Sequence, residues 1–251
     1  MKLALLSDIH ANLQALDACL AHATQQGAQQ WAFLGDMVGY GGDPVPVLER
    51  IQQLAQQGAW VVQGNHDVMA VAPPPLSDRL GEATAAWTHD QLSPAHRQFL
   101  ANLPLTVKRG NVLLVHASAD TPAKWRYVDD ERSALASLEA ATAHHADVRY
   151  VFGGHVHHQT LYYRGTGRGL MAFNPTSGVP IPTPSHRQWI ATVGSTGQPR
   201  NGKPLAMYAL FDVAQSKLSF HSLPYDHAGA AAAVRRAGLP EYFARRLEEG
   251  R

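Results

Sequence analysis

Eight polar side chains of types that bind metal ions follow closely after apolar runs in this sequence. They are Asp8, His10, Asp36, Asn65, His66, His116, His155 and His157. Carboxylate oxygens, an amide oxygen and imidazole nitrogens, with no thiolate among them, suit Mn²⁺, Fe or Zn²⁺ better than Ca²⁺ or copper(I). The set is larger than one ion needs if a position is to stay open for water. We therefore expect two ions, with one carboxylate shared between them.

The segment Gly64-Asn65-His66-Asp67 has two interpretations, a turn or a catalytic loop. Gly, Asn and Asp are common turn residues, and the tetrapeptide alone favours a turn. However, it directly follows the apolar run 59–63, which predicts a buried strand. The other candidate ligands also follow apolar runs, so we expect a catalytic loop.

Each candidate stands at the carboxyl end of a predicted strand. These strands are Leu3–Leu6, Trp31–Leu34, Ala59–Gln63, Val112–Val115 and Val148–Phe152. In open α/β sheets, ligands bind outside the carboxyl ends of the strands. A helix cap, a turn or a surface histidine would explain any one candidate, but not five coincident strand ends. We expect all eight side chains at one edge of the sheet.

The elements between these strands set the fold class. Apolar spacing predicts helices at Leu13–Gln26, Val47–Gln57, Ala83–Leu103 (interrupted near Ser93-Pro94) and Ser133–His145. Strands separated by helices indicate βαβ units and a parallel sheet.

The second half of the chain has a different character. Short strands are predicted at Leu161–Tyr163, Leu170–Phe173, Gln188–Val193, Leu205–Phe211 and Lys217–Leu223. Gly/Pro-rich turns separate them, and no helix is expected before the alanine-rich tail after Tyr225. This pattern favours an antiparallel sheet. We interpret residues 1–251 as a single domain with two sheets.

Composition excludes several classes of protein. A net charge of +1 over 251 residues provides no bulk field toward nucleic acid or anionic membranes. No stretch approaches the ~20 apolar residues needed to span a bilayer. The single cysteine, Cys19, excludes an internal disulfide and fits a reducing compartment. We expect a cytoplasmic protein with a small-molecule substrate, and self-association is left open.

The order of the motifs resembles that of the calcineurin-like metallophosphoesterases. The family pattern is DxH, GDxxDxG, GNHD/E, a lone His and GHxH. The corresponding segments are Asp8–His10, Gly35–Gly41, Gly64–Asp67, His116 and Gly154–His157. The segments "GDMVGYGGDP", Trp125–Tyr127 and Gly194–Arg200 are similar to the bacterial small-phosphodiesterase branch. One residue departs from the pattern, because Gly39 stands where many members carry a second Asp.

The resemblance implies a four-layer αββα sandwich, two mixed sheets flanked by helices. It also implies a ligand assignment, in which Asp36 bridges the two ions. The first ion is held by Asp8, His10 and His157, and the second by Asn65, His116 and His155. His66 faces the substrate as a general acid or stabilises phosphoryl charge, and Asp67 orients its ring.

The expected activity is therefore phosphoester hydrolysis, most consistent with a small phosphodiester or nucleotide attacked by a hydroxide that bridges two metals. Mn²⁺ is the expected ion, with Fe or Zn²⁺ as alternatives. Arg200 and Arg126 are candidate phosphate donors, since guanidinium pairs bidentately with phosphate; solvated surface arginines are the alternative.

Other functions share these motifs. They are a phosphomonoesterase, a protein phosphatase, a dinucleoside-polyphosphate hydrolase and a non-catalytic interaction protein such as the retromer subunit that resembles these enzymes. Because no large cap domain is evident, we expect the loops around 68–80, 117–130 and 174–203 to recognise the substrate.

Overall fold

Helices and strands alternate in the first part of the chain, and strands dominate its second part. A computed structural model describes residues 1–75, 82–165 and 169–251. The strands are β1 (Lys2–Leu6), β2 (Gln30–Leu34), β3 (Trp60–Val62), β4 (Thr106–Arg109), β5 (Val112–Val115), β6 (Tyr150–Gly153), β7 (Gln159–Arg164), β8 (Leu170–Phe173), β9 (Ile181–Pro182), β10 (Trp189–Val193), β11 (Leu205–Asp212) and β12 (Lys217–Pro224). The helices are α1 (Leu13–Gln25), α2 (Pro44–Gln56), α3 (Asn65–Val71), α4 (Ala85–Gln91), α5 (Pro94–Ala101), α6 (Glu131–His144), α7 (His227–Arg236) and α8 (Glu241–Glu249).

The strands form two six-stranded sheets, each with parallel and antiparallel neighbours. The first has the order β3-β2-β1-β11-β12-β9 and the second β4-β5-β6-β10-β7-β8. In the first, β1, β2 and β3 run parallel and β11 joins β1 antiparallel. In the second, β5, β6 and β10 run parallel and β4, β7 and β8 complete it antiparallel. Both sheets are therefore mixed, as the resemblance implied.

Successive residues of β1 face opposite sides of the first sheet. Leu3 and Leu5 pack into the core between the two sheets, whereas Ala4 and Leu6 pack into the core beneath the helices. Burial on both faces explains why this strand is a continuous apolar run rather than an alternating one.

The remaining layers follow from the same alternation. The helices α1, α2, α7 and α8 contribute apolar side chains to the outer core of the first sheet. Helix α6 covers the second sheet, with Leu138 in one cluster with Val151 of β6 and Ile190 of β10. The order helix, sheet, sheet, helix confirms the expected four-layer sandwich.

One expectation about the second half is wrong. Its strands do not form a separate antiparallel sheet: β7, β8 and β10 join the second sheet, and β9, β11 and β12 join the first. In addition, β10 runs parallel to β6. The apolar pattern indicates which residues can form half-buried strands, but pairing is decided by packing against distant parts of the chain.

Two helix boundaries can be compared with those predicted from the sequence. The predicted interruption at Ser93-Pro94 is confirmed, because α4 ends before it and the Ser93 hydroxyl accepts a hydrogen bond from the His96 N–H at the start of α5. Helix α3 was not predicted, and it begins at Asn65, inside the GNHD segment. Within the described ranges, no helix is long and apolar enough to cross a bilayer.

The core between the sheets sets the spacing of the whole sandwich, and Phe211 lies at its centre. Its ring contacts Tyr150 at 4.7 Å and Phe152 at 5.3 Å between centroids. We expect Phe211→Ala to lower the free energy of unfolding by about 3–5 kcal/mol, through lost burial and a residual cavity. Urea denaturation measures this loss. The control Phe173→Ala, at a side chain 44% exposed on β8, should change it by roughly 0.5 kcal/mol; equal effects of the two would contradict the assignment.

Candidate metal centre

The candidate residues meet where the carboxyl ends of strands from both sheets come together. Strands β1, β2 and β3 of the first sheet are followed by Asp8 and His10, by Asp36, and by Asn65 and His66. Strands β5 and β6 of the second sheet are followed by His116 and by His155 and His157. All are buried except Asn65, which is partly buried. The centre therefore lies between the two sheets.

The backbone at these positions is held in an unfavourable conformation. The residues with left-handed φ values between 48° and 69° include Asp8, His10, Asp36, His155 and His157. Asp and His tolerate this region better than most residues, but each such residue costs about 1–3 kcal/mol. Hydrogen bonds between the loops compensate: Asp8 N–H donates to Gly35 O, and His10 N–H to Asp36 O.

Gly154 shows how tightly the loops approach one another. A Cβ at this position would lie 1.8 Å from Ser7 Oγ and 2.4 Å from Asp8 Oδ2. Only glycine lets the loop after β6 reach the loop after β1. That approach allows the His155 N–H to donate a hydrogen bond to Asp8 Oδ2 at 2.9 Å.

A first cluster consists of Asp8, His10 and His157. His157 Nε2 lies 3.2 Å from both Asp8 Oδ1 and His10 Nε2. His157 Nδ1 is 2.7 Å from the Gln198 carbonyl, and His10 Nδ1 is 3.3 Å from the Val38 carbonyl. A ring that donates from Nδ1 to a carbonyl leaves its Nε2 lone pair free to ligate. Both Nε2 atoms therefore lie near the same carboxylate oxygen, Asp8 Oδ1, at 3.2 Å for His157 and 3.8 Å for His10.

A second cluster consists of Asn65, His116 and His155. His116 Nε2 lies 3.2 Å from Asn65 Oδ1 and 3.2 Å from His155 Nδ1. The other nitrogen, His116 Nδ1, is 2.7 Å from the carbonyl of Leu34. The second cluster thus repeats the arrangement of the first, with an amide oxygen beside two imidazoles.

Asp36 stands between the two clusters. Its Oδ2 lies 3.3 Å from His116 Nε2 and 3.9 Å from His10 Nε2. Its Oδ1 accepts a hydrogen bond from the His66 N–H at 2.8 Å. One carboxylate oxygen therefore lies close to a histidine of each cluster.

These residues fit divalent cations. Asp8 Oδ1 is buried and has no hydrogen-bond donor among the described residues. An unpaired buried carboxylate oxygen is costly unless a cation satisfies it. The mixed oxygen and nitrogen donors match Mn²⁺, Fe or Zn²⁺. Three groups of ligand atoms lie within 4.8 Å of one another: Asp8, His10 and His157; His10, Asp36 and His66; and Asp36, His116 and His155.

The titration of the centre reflects burial opposed by close opposite charges. Burial would raise the pKa of Asp36, but His116 and His66 hold that pKa well below its usual value. Burial lowers the pKa of His155 to about 4. Burial would also lower the pKa of His116, but the Asp36 carboxylate raises it to about 9. Because a histidine ligates a metal ion only in its neutral form, metal uptake at His116 should release protons.

His66 lies at the edge of both clusters and lines a cavity of about 440 Å³. Its ring packs edge-on against His10, with centroids 5.0 Å apart, and at a tilt of 55° against Tyr40, with centroids 4.3 Å apart. Burial lowers the pKa of His66. Gly39, with φ of +88°, would place a Cβ 2.6 Å from His66 Nδ1. The departure from the family pattern at Gly39 therefore makes room for this imidazole.

Asp67 does not orient His66 as expected. Its Oδ2 accepts hydrogen bonds from the N–H groups of Gly64 and Asp36, and its Oδ1 accepts one from Met37. No hydrogen bond joins it to the imidazole among the described residues. The carboxylate instead fixes the loop after β2 to the start of α3, because three backbone donors converge on it. Burial and the Asp36 charge raise the pKa of Asp67 to about 7.

The two candidate arginines differ in their surroundings. Arg200 lines the cavity, and Gln198 Oε1 accepts its Nη2–H at 2.8 Å. Arg126 is exposed, pairs with Asp120, and is not among the lining residues. The sequence reasoning missed Tyr40 and Gln198. Neither residue type carries metal chemistry, and only their positions in the motifs marked them.

The three predicted recognition loops all contribute to this cavity. From the predicted loop around 68–80, Val68 and Met69 line the cavity but belong to helix α3, and residues 76–80 lie outside the described residues. The loop 117–130 supplies Trp125 and Tyr127, and the loop 174–203 supplies Arg200. The cavity is therefore polar at the metal clusters and aromatic at its rim.

Comparison with known proteins agrees with this geometry. The profile of the calcineurin-like phosphoesterase superfamily domain matches residues 1–216. A metallophosphoesterase from Sphaerobacter thermophilus is 33% identical, with 100% of each chain covered and a TM-score of 0.87. A hypothetical protein from Pyrococcus horikoshii OT3 is 20% identical, covers 100% of this chain and 98% of its own, and has a TM-score of 0.78. An uncharacterized protein of Methanocaldococcus jannaschii is 29% identical over 99% of this chain and 98% of its own.

The position of Asp36 between the clusters yields a prediction about ion stoichiometry. We expect Asp36→Asn to reduce the number of bound divalent ions, since the amide removes the negative charge between two cations. Native mass spectrometry after manganese loading measures the count. Asp147→Asn, on an exposed carboxylate paired with Lys108, is the matched control and should not alter it. Full retention of ions with normal turnover in Asp36→Asn would show that this residue does not bridge.

Proposed function

The chain belongs to the calcineurin-like phosphoesterase superfamily, and from that premise we propose that it hydrolyses a small phosphodiester or nucleotide at a two-ion centre. The activity of this family is the metal-dependent hydrolysis of phosphoric esters. The observation that supports the finer proposal is the sharing of Asp36 Oδ2 between two clusters of ligand atoms.

In this proposal Asp8, His10 and His157 hold one ion and Asn65, His116 and His155 the other, with Asp36 common to both. When bound, two divalent ions supply a water that is nucleophilic at neutral pH and neutralise charge on the phosphoryl oxygens. The residues themselves fix the directions of the ligand atoms through the carbonyl partners of their second nitrogens. Mn²⁺ is proposed over Mg²⁺, because imidazoles outnumber carboxylates among the ligands and Mg²⁺ prefers oxygen; Fe and Zn²⁺ are the alternatives.

His66 acts on the substrate rather than on an ion. It lines the cavity, and its ring is held by Tyr40 and His10. Although burial favours the neutral ring, the negative charge of a bound phosphate ester raises the pKa of a neighbouring imidazole. Substrate binding therefore favours the protonated ring, which can donate to the leaving oxygen or to a phosphoryl oxygen.

Arg200 is the proposed phosphate-binding cation. Gln198 Oε1 accepts hydrogen bonds from its Nε and Nη2, which leaves Nη1 unengaged within the described contacts. A guanidinium so oriented can donate to an anionic oxygen at the centre. Arg126 is committed to Asp120 and takes no part in the proposal.

The proposal also includes the domain organisation and the cellular compartment. The whole chain is taken as one metallophosphoesterase domain that acts on a small phosphorylated substrate in the cytoplasm. Its single cysteine, Cys19, is buried and free, which is consistent with a reducing compartment.

Metal reconstitution is the experiment that tests the proposal. The chelated protein is reloaded with Mn²⁺ or Mg²⁺ and assayed on diesters, monoesters and nucleotides. We expect no turnover without metal and a preference for a diester. We also expect greater turnover with Mn²⁺ than with Mg²⁺, because Mg²⁺ favours oxygen ligands. Full turnover in protein shown by elemental analysis to be free of metal would contradict the two-ion proposal.

His66→Ala tests the role of the imidazole. We expect both ions to stay bound while turnover falls by roughly 10²–10⁴-fold. If His66 protonates the leaving oxygen, the loss is smaller for a nitrophenyl ester than for an alkyl ester, because nitrophenolate leaves without a proton.

The control for this variant is His186→Ala, which changes an exposed histidine distant in sequence from His66 and should not change turnover. Equal losses on both esters would assign His66 to the phosphoryl oxygens instead. Loss of an ion in His66→Ala would show that His66 is a ligand, which its grouping with His10 and Asp36 also permits.

A further inference from the structure

The rim of the metal cavity carries two aromatic side chains on one short segment. Trp125 and Tyr127 both line the cavity and follow the 3₁₀ turn Pro122–Lys124. The residues on either side of that turn, Thr121 and Trp125, have left-handed φ values of 54° and 50°. A bulky residue rarely adopts this conformation, so the fold holds the segment at the cavity against an intrinsic preference.

Tyr127 presents an open aromatic face. Its ring stacks on the imidazole of His155, with centroids 4.3 Å apart and planes inclined by 19°. The imidazole covers one face of the phenol ring, and the residue is nevertheless 53% exposed. The opposite face is therefore available to another planar group.

Further apolar side chains line the same cavity as Tyr127. Trp125 is half-buried and lies edge-on to His116, with centroids 5.9 Å apart. Val68 and Met69 of α3 line the same cavity, and Val68 is 37% exposed. The volume of this cavity, about 440 Å³, falls within the range of small-molecule sites, about 300–1,000 Å³. The centre thus combines cation sites, an arginine and an apolar aromatic wall.

We propose that Tyr127 and Trp125 form a nucleobase-binding surface, so that the substrate is a nucleotide whose base stacks on Tyr127 while its phosphate lies at the metal clusters. The inference deepens the proposed phosphoesterase function and rests on it. Stacking of bases on aromatic side chains tolerates any base, since every base has a π face. The surface therefore selects nucleotides as a class.

A nucleotide fits the distance between this aromatic face and the metal clusters. A planar group stacked on the outer face of Tyr127 lies roughly 9 Å from the His155 ring, because stacked centroids are at least ~4.5 Å apart. A nucleotide places a sugar between phosphate and base, so its base can stack on that face while its phosphate lies at the metal clusters. An aryl phosphate is the alternative occupant that a binding test must distinguish.

A structural role for Tyr127 predicts a different result. If the phenol ring serves only to orient His155, its removal weakens ion binding and affects all phosphate ligands alike. If it binds a base, its removal weakens only ligands that carry a base. A pair of ligands differing only in the base separates the two roles.

Adenosine 5′-monophosphate and ribose 5-phosphate form such a pair, and isothermal titration calorimetry on the manganese-loaded protein measures both affinities. We expect the nucleotide to bind roughly tenfold tighter or more. Tyr127→Leu and Trp125→Leu should reduce that ratio toward one without changing the affinity for ribose 5-phosphate. Tyr127→Phe should preserve the ratio, as should the control Phe173→Leu at an exposed aromatic residue on β8.

Three results would overturn the inference. The unmodified protein could bind the two ligands equally, or Tyr127→Leu could weaken both by the same factor together with loss of ions. Tighter binding of phenyl phosphate than of the nucleotide would assign the surface to aryl phosphates. Failure of the proposed function is a separate result, the lack of manganese-dependent turnover on any phosphate ester, and the binding ratio is measured without turnover.

Discussion

Asp36 makes a hydrogen bond or a close contact to the ends of three other strands that build the centre. Its carbonyl accepts from the His10 N–H after β1, and its Oδ1 accepts from the His66 N–H after β3. Its Oδ2 faces His116 after β5, across the boundary between the two sheets. Because this carboxylate is buried and contacts all three loops, it links the two sheets at the centre and holds the two ligand clusters at a fixed spacing. Asp67 supports it in turn by accepting the Asp36 N–H.

Burying so many ionisable groups is unfavourable unless opposite charges or cations compensate. The apolar core between the sheets, which contains Phe152 and Phe211, excludes water from the side of the metal centre that faces it. The cavity connects the other side of the centre to solvent. Low polarity on one side strengthens the interaction of the carboxylates with any cation, and access from the other admits a substrate. The same sandwich thereby stabilises the fold and sets the electrostatics of the site.

The sequence was enough to place the candidate ligands after strands, where the structure brings them together, and to imply the mixed-sheet sandwich through the order of the motifs. Strand pairing in the second half was not accessible, because apolar alternation in β7 to β12 is the same whichever sheet receives each strand. The role of Asp67 was also missed, since its three donors are backbone N–H groups brought together only by folding. Tyr127 was visible as part of a motif, but its stacking on His155 depends on the left-handed turn before it.

The segment that follows β10 contacts both a proposed ion ligand and the arginine proposed to bind phosphate. The Ser195 hydroxyl donates to the Asp8 carbonyl and accepts the Gln198 N–H. Gln198 then uses its carbonyl to fix His157 and its side chain to fix Arg200. One residue therefore contacts His157, a proposed ion ligand, and Arg200, the arginine proposed to bind phosphate, so the spacing of these two side chains is set by one short backbone segment. Under the proposed function, the buried packing of this segment against the loop after β1 would determine where the phosphate binds, and the open face of Tyr127 would select the group attached to the phosphate.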